Sequence, residues 1–512
     1  MISKEWQSTQ IILFVTGLFL IIAIHSCDRT DPEIQKMEKG KSLARIHCVS
    51  CHDFPDSDLL TKSLWGEILP TMGAKMGIAR EPLEIRHMHL LLANDLMPAK
   101  PLLTEVEWEM IQWYYIESSE DSFVTEKTQI SDEELTLFEE KPVFIGESRA
   151  AASLVKFGPD PYEIWYGDGL KNKFYRYNLQ SNFSKGFDFD GAPSHVHFRQ
   201  SGFRVLTMGN IHPNDLRKGK IFSVSGDHSE ILVEGLPRPV HASYGDLNGD
   251  QQEDILISGF GYLLGSLSWY EHKDGDYQSH VLRNLPGAIK TDIIDLDKDG
   301  FIDILALMAQ GDEGFFFYKG DGKGSFKEKK IISFPSSYGS SYYELADLNG
   351  DGFEDIIYVN GDNGDYSAPV IKPYHGVRIF MNQSENDSIL FSESYYYSMN
   401  GAFKAMAEDY DLDGDLDIIC ISYFPDYEHT PQEGIIYLEN NGGPVLNFTP
   451  KSIRGSLSGK WLVADRKDYD GDGDIDVVLG NSLIMSLNVP QEFKEKWEKD
   501  PVTVLVLENK TR

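Results

Sequence analysis

The sequence predicts a chain of two parts, a small all-α domain followed by an all-β propeller, and three observations carry that prediction. A C-x-x-C-H motif, Cys48-Val49-Ser50-Cys51-His52, sits in a segment whose apolar residues recur at helical spacing. Beyond residue 140 the chain turns to short β-branched runs separated by Gly and Asp. Within that stretch an acidic loop pattern recurs five times at a period of about fifty residues, the length of one four-stranded propeller blade.

At 512 residues the chain is long enough for a small domain beside a large β structure. Its formal charge of -34 argues against nucleic-acid binding, which needs clustered Lys and Arg, and points to bound cations instead. With 41% hydrophobic and 12% aromatic residues, this is a folded protein rather than an acidic disordered chain.

C-x-x-C-H is the attachment sequence for c-type haem: two thiols bind the haem covalently and the adjacent imidazole becomes the proximal iron ligand. The motif therefore assigns Cys48, Cys51 and His52 to one covalent haem c. Half of a zinc site is the competing reading, but only Cys27 and Cys420 remain to complete the paired clusters that structural zinc uses. Cys420, inside Ile418-Ile419-Cys420-Ile421, reads as a buried strand residue.

The apolar run Ile11 to Ile24 is short for a spanning helix and suits the core of a signal peptide in segment 1–26. Its ending, Ile24-His25-Ser26-Cys27, resembles the lipobox of bacterial lipoproteins, which makes Cys27 the expected lipidation site, although His25 is unusual there. An uncleaved anchor is the alternative, because Lys4 is offset by Glu5. Either way the body is expected to be exported and membrane-anchored, on the periplasmic side or at the surface of a bacterium, where haem attachment also takes place.

Residues 32–117 resemble a small class I cytochrome c. Met37, Gly40 and Ala44 lie at helical spacing on a first helix, where Gly40 would admit close approach of a last helix opened by Leu103-Thr104-Glu105 and continued by Val106, Met110 and Trp113 or Tyr114. Trp113 is the expected neighbour of Gly40. For the distal iron ligand the segment offers Met72, Met76, Met88, Met97, His87 and His89, and spacing does not choose among them. The resemblance favours Met97, which precedes Pro98 shortly before the last helix; Met76, His87 and His89 stay as alternatives. His/Met ligation would suit an electron carrier of raised potential.

An acidic linker, 118–140, leads to the repeats. The five loops are Asp246, Asn248, Asp250, Asp254; Asp295, Asp297, Asp299, Asp303; Asp347, Asn349, Asp351, Asp355; Asp409, Asp411, Asp413, Asp417; and Asp468, Asp470, Asp472, Asp476. Each places oxygen side chains at positions 1, 3, 5 and 9 of a tight loop, usually with Gly at position 6, the arrangement by which Ca2+ collects its ligands. EF-hands are rejected: position 12 holds Ile257, Ala306, Tyr358, Cys420 or Leu479 instead of Glu, and each copy runs on into a strand such as Ile356-Ile357-Tyr358. Polar turn chemistry alone explains one copy, not five at the same spacing.

Successive loops start 49, 52, 62 and 59 residues apart. Together the pattern resembles the FG-GAP or VCBS repeat family, whose blades carry Ca2+ between first and second strands, and the resemblance covers 141–512. Phe203-Arg204-Val205-Leu206 and Tyr162-Glu163-Ile164-Trp165 look like second strands whose acidic loop is lost, which makes seven blades. Pro142 to Gly146 is the expected outer strand of the last blade, closing the ring. Gln251 stands where Gly is expected, so the first loop should bind Ca2+ most weakly, while Asp415 and Asp474 add charge to the last two. Five Ca2+ would bring the charge from -34 to -24.

No G-x-S-x-G elbow, P-loop or H-E-x-x-H is present. Five residues before the first Asp of four loops sit His241, Lys290, Tyr342 and Lys404, on the expected innermost strands; they are candidate channel ligands for an anion or polar substrate, with His195 and His197 in a comparable stretch. The expected function is membrane-tethered one-electron transfer to a redox partner, favoured to be basic, with the propeller as a calcium-stabilised scaffold. An oxidoreductase whose propeller binds substrate or an organic cofactor is the second reading. An adhesion or carbohydrate-binding protein is the third.

Overall fold

The structure, a computed structural model, describes residues from 31 onward except 125–129, 132, 134, 147–148, 367–369, 386–387 and 486–488. The apolar run Ile11 to Ile24 and Cys27 lie outside the described residues. Among those described, no helix is long and apolar enough to cross a membrane. The described residues form two compact units, 31–50 with 56–121, and 51–55 with those from 122 onward.

The first unit is helical: α1 (Pro32–His47), α2 (Lys62–Lys75), α3 (Pro82–Ala93) and α4 (Glu105–Glu117). Their starts follow from local chemistry. Asp31 caps α1 by accepting from the Glu33 N–H, and Pro32 occupies the first turn, where an N–H would have no partner. Thr104 and Glu107 form a reciprocal capping box on α4, as Glu81 and Glu84 do on α3.

Helices α1 and α4 cross at Gly40, where a Cβ would lie 2.5 Å from the Met110 carbonyl oxygen and 2.7 Å from Tyr114 Cβ. The neighbours of Gly40 are thus Met110 and Tyr114 and not Trp113, whose ring faces the Lys36 ammonium at 4.2 Å. Val106 is exposed and Trp113 half-buried; the buried face of α4 consists of Trp108, Ile111, Tyr114 and Tyr115. The correction has a simple cause, since a helix advances 100° per residue and two adjacent aromatics cannot share one line of contact. Tyr115 stacks on Trp65 of α2 at 4.1 Å.

The second unit is a seven-bladed β-propeller built from seven four-stranded antiparallel sheets. The innermost strands are Ala152–Phe157, Pro193–Arg199, Pro239–Gly245, Ala288–Ile294, Ser340–Ala346, Ala402–Glu408 and Trp461–Lys467, taken in order as blades 1 to 7. Second strands such as Asp303–Met308 and Asp355–Asn360 are buried along their whole length. Each is covered on both faces by neighbouring blades, which is why these stretches read as continuous apolar runs rather than alternating ones. Leu305, Leu307, Phe315 and Phe317 of blade 4 pack with Tyr343, Ile356, Tyr358 and Phe380 of blade 5 in one cluster. Each such side chain contributes about 1.5–3 kcal/mol by leaving water.

The ring closes where Phe138–Val143 pairs antiparallel with Val504–Asn509, with Phe138 opposite Asn509 and Val143 opposite Val504. The closing strand therefore starts before the 142–146 segment expected for it. Gly146, at φ +93°, belongs to the turn that follows.

Candidate functional site

All five acidic loops join the first strand of a blade to its second, in blades 3 to 7. In four of the five the backbone repeats the same hydrogen bond, while in blade 7 the Gly471 N–H donates to Asp468 at 2.7 Å. The N–H of position 6 donates to the carboxylate of position 1: Gln251 to Asp246 at 2.8 Å, Gly300 to Asp295 at 3.0 Å, Gly352 to Asp347 at 2.8 Å and Gly414 to Asp409 at 3.1 Å. Position 6 is left-handed in every loop, at φ +69° for Gln251 and between +83° and +104° for the glycines. Position 4 is left-handed too, and here Lys298 and Leu412 take a conformation that glycine fits best.

The folded loops gather oxygen. Carboxylate atoms of Asp295, Asp297 and Asp299, of Asp409, Asp411 and Asp413, and of Asp468, Asp470 and Asp476 lie within 4.8 Å of one another. One buried oxygen on each of Asp295, Asp409, Asp415 and Asp474 has no hydrogen-bond partner among the described residues. A hard cation satisfies such oxygens, and a buried carboxylate left without a partner is costly.

The ninth-position aspartates are fully buried and do a second job. Asp355 accepts from the Leu348 N–H at 3.0 Å and the Asn382 N–H at 2.7 Å, tying the loop to the third strand; Asp254, Asp303 and Asp476 repeat the pair of bonds. Asp417 replaces the loop donor with the Tyr437 hydroxyl at 2.7 Å. The residue just before each third-strand donor differs in chemistry between blades: Glu271, which accepts from the Asn248 amide at 3.2 Å, then Lys319, Met381, Glu439 and Glu508. In blade 4 the Lys319 ammonium pairs with Asp297 and with Asp299 at 2.9 Å.

His195, His241, Lys290, Tyr342 and Lys404 line a central cavity of about 650 Å³. A bulge after the first residue of each inner strand puts the third residue in this position in blades 2 to 6. His195 and His241 meet edge to face at 4.8 Å, and the Lys404 ammonium donates to the Ala464 carbonyl at 2.6 Å. Burial, then the neighbouring cations, push both imidazoles well below the usual histidine value. Burial brings the Lys404 ammonium down to about 8. His197, by contrast, stacks on Tyr244 at 4.1 Å and is not part of the cavity wall.

Other groups escaped the sequence reading. Loops at the end of the propeller opposite the acidic loops bring together Glu313, Asp362 and Lys372. Burial raises Glu313 to about 8 and Asp362 to about 6, and lowers Lys372 to about 8. Glu313 accepts from the Ser340 N–H at 2.5 Å and Lys372 donates to the Ser337 carbonyl at 3.1 Å. Asp362 and Lys372 share one loop of blade 5 and Glu313 comes from a loop of blade 4, with no motif joining them, so no local signal marks them.

Cys48 opens a single 3-10 turn directly after α1, with the Tyr115 hydroxyl 4.0 Å from its sulfur. His52 Nδ1 lies 2.7 Å from the Asp53 carbonyl oxygen. As a donor in that bond it leaves Nε2 with the lone pair a metal needs. Met97 is half-buried in the segment between α3 and α4. Met76 and His87 are buried and His89 is exposed.

No curated protein matches the chain. Similar solved structures include Sqt1 of Saccharomyces cerevisiae (9% identity, 76% of this chain and 100% of that one, TM-score 0.40). Others are the Swd1 β-propeller domain of Myceliophteria thermophila (8%, 73% and 100%, 0.42) and a putative 6-phosphogluconolactonase from Bacteroides fragilis (10%, 59% and 84%, 0.39). These likenesses say nothing of activity. The family described as FG-GAP-like repeat matches residues 295–358 and 409–479, which contain four of the acidic loops, so the seven-bladed propeller carries FG-GAP repeats.

Proposed function

We propose that this protein is an exported, membrane-tethered c-type cytochrome that passes single electrons to a partner protein, with the propeller as its calcium-stabilised scaffold. The observation that carries this reading is the Cys48-Val49-Ser50-Cys51-His52 motif. The placement of His52 Nδ1 against the Asp53 carbonyl supports it, because that bond orients the ring. Cys48 and Cys51 would hold the haem covalently and Met97 would supply the distal thioether. The haem, when bound, supplies one-electron redox chemistry.

Calcium in the acidic loops is part of the same reading, supported by the unpartnered oxygens of Asp295, Asp409, Asp415 and Asp474. Tethering through Cys27 and a basic redox partner complete it. The full chain, produced in a host that matures c-type cytochromes, should keep its haem absorption after denaturation and acid-acetone extraction. Cys48→Ala with Cys51→Ala should lose that covalent haem. A native chain whose haem is entirely extracted, or that never acquires any, rules the reading out. A second reading, in which the propeller binds a substrate that reduces the haem, is favoured by the cavity at His241 and Lys404. Anaerobic reduction of the haem by a small molecule with no other protein present would select it.

A further inference from the structure

The central cavity has two chemically distinct ends. At the inner-strand end, Lys156, His195, His241, Lys290 and Lys404 come from blades 1, 2, 3, 4 and 6, close enough to act electrostatically on one another. Nearby carboxylates are already engaged. Asp465 accepts from the Phe157 N–H at 3.0 Å, Glu344 pairs with Arg466 at 2.7 Å and accepts from the Ala407 N–H at 3.1 Å, and Asp292 pairs with Lys290 at 2.7 Å. Lys404 has one carbonyl at 2.6 Å, and His241 Nδ1 is buried with no partner among the described residues. The Lys156, Lys290 and Lys404 ammoniums gathered in one wall repel one another, a cost that a bound anion offsets, while the two imidazoles, held neutral by burial, offer hydrogen bonds rather than charge.

The other end carries aromatic side chains beside the charged groups of Arg238, Asp362, Asp365 and Lys372. Phe260, Tyr262, Tyr423 and Phe424 come from loops at the end of the propeller away from the acidic repeats, and Phe403 from the blade 6 inner strand. Flat apolar faces above a cationic floor suit a ligand with a ring and a carboxylate, and about 650 Å³ is the size of a small-molecule site.

We infer that the central cavity binds a carboxylate-bearing ring compound, its carboxylate at Lys290, Lys404 and His241 and its ring among Phe260, Phe403 and Tyr423. The shared chemistry belongs to uronic acids and to aromatic carboxylates alike. The inference deepens the reading of the propeller as a ligand scaffold and does not need the haem.

The test is titration calorimetry on the calcium-loaded full chain with four probes: galacturonate, phthalate, galactose and sulfate. One of the two ring carboxylates should bind one to one, at least tenfold more tightly than galactose or sulfate. Which of them binds separates the sugar source from the aromatic one. Lys290→Met and Lys404→Met should each weaken binding at least tenfold, Lys404→Arg should restore it to within a few fold, and Lys185→Met, on the outer surface of blade 1, should leave it unchanged. If either methionine variant misfolds, the arginine variant and the ranking of probes still decide. Neither ring carboxylate outbinding galactose and sulfate, or full affinity in folded Lys290→Met and Lys404→Met, would overturn the inference. Haem-bearing protein that binds no probe removes this inference alone, and a haem-free chain that binds one leaves it standing.

Discussion

Blades 1 and 2 fold like blades 3 to 7 without an acidic loop, and the two groups differ in how they treat a negative charge at the start of the second strand. In blade 1 the register Phe157 opposite Ile164 puts Glu163 where the other blades have their ninth-position Asp. Glu163 is buried, as those aspartates are, but its charge meets the Arg176 guanidinium at 2.6 and 2.8 Å. Blade 2 drops the acid altogether: Arg199 pairs with Gly202 across a two-residue turn, and Arg204 reaches Glu253 of blade 3 at 2.6 Å. A negative charge at the strand start is therefore kept and answered by a guanidinium, or deleted. In blades 3 to 7 the acid stays at the end of an acidic loop, and in blades 4, 6 and 7 three carboxylates of that loop come within 4.8 Å of one another, an arrangement that could hold a cation.

The largest expected effect is that of chelation. Chelation should lower the melting temperature of the full chain by at least about 10 °C, since each site filled at a hundredfold excess over its Kd is worth about 2.7 kcal/mol. A melting curve unchanged by chelator would make blades 3 to 7 no different from blades 1 and 2. Next in size is Arg176→Met, which strands a buried Glu163 and should cost about 3 kcal/mol by denaturant titration, equally with and without calcium. A calcium-dependent loss would mean that blade 1 also relies on metal.

Smaller changes sharpen the ranking among the five loops. Lys319 already supplies a positive charge to Asp297 and Asp299, so the blade 4 loop should be a weak calcium site and Lys319→Met should tighten it at least tenfold. Unchanged calcium isotherms in that variant would show that the ammonium does not compete. The smallest effect belongs to Gln251→Gly, which relieves a left-handed backbone at φ +69° and should stabilise the protein by about 1 kcal/mol with calcium present. A destabilised variant would show that the Gln251 side chain compensates for its backbone.

Spacing along the chain exposed much of this fold, because the loop and the start of the second strand are local. The five loops, the position of the inner strands five residues before each loop, and the two blades without acids all depend on fewer than about ten consecutive residues. The seven-bladed ring follows from the period. What stayed hidden depends on partners distant in sequence. Lys319 lies on the third strand of its blade, beyond the local loop pattern of Asp297 and Asp299, and Arg176 has no motif tying it to Glu163. Left-handed Lys298 and Leu412 were invisible because neither residue type announces that conformation. On α4 the helical periodicity was legible while the choice between Trp113 and Tyr114 was not, since it turns on one residue of rotation.

The difference between the two groups of blades is tested most directly by counting calcium ions on the full chain by native mass spectrometry during a titration. The account predicts five ions, three bound tightly in blades 5 to 7 and two more weakly in blades 3 and 4, with Lys319→Met moving the blade 4 ion into the tight class. A chain that takes up no calcium, or that binds all five with one affinity regardless of Lys319, would contradict it.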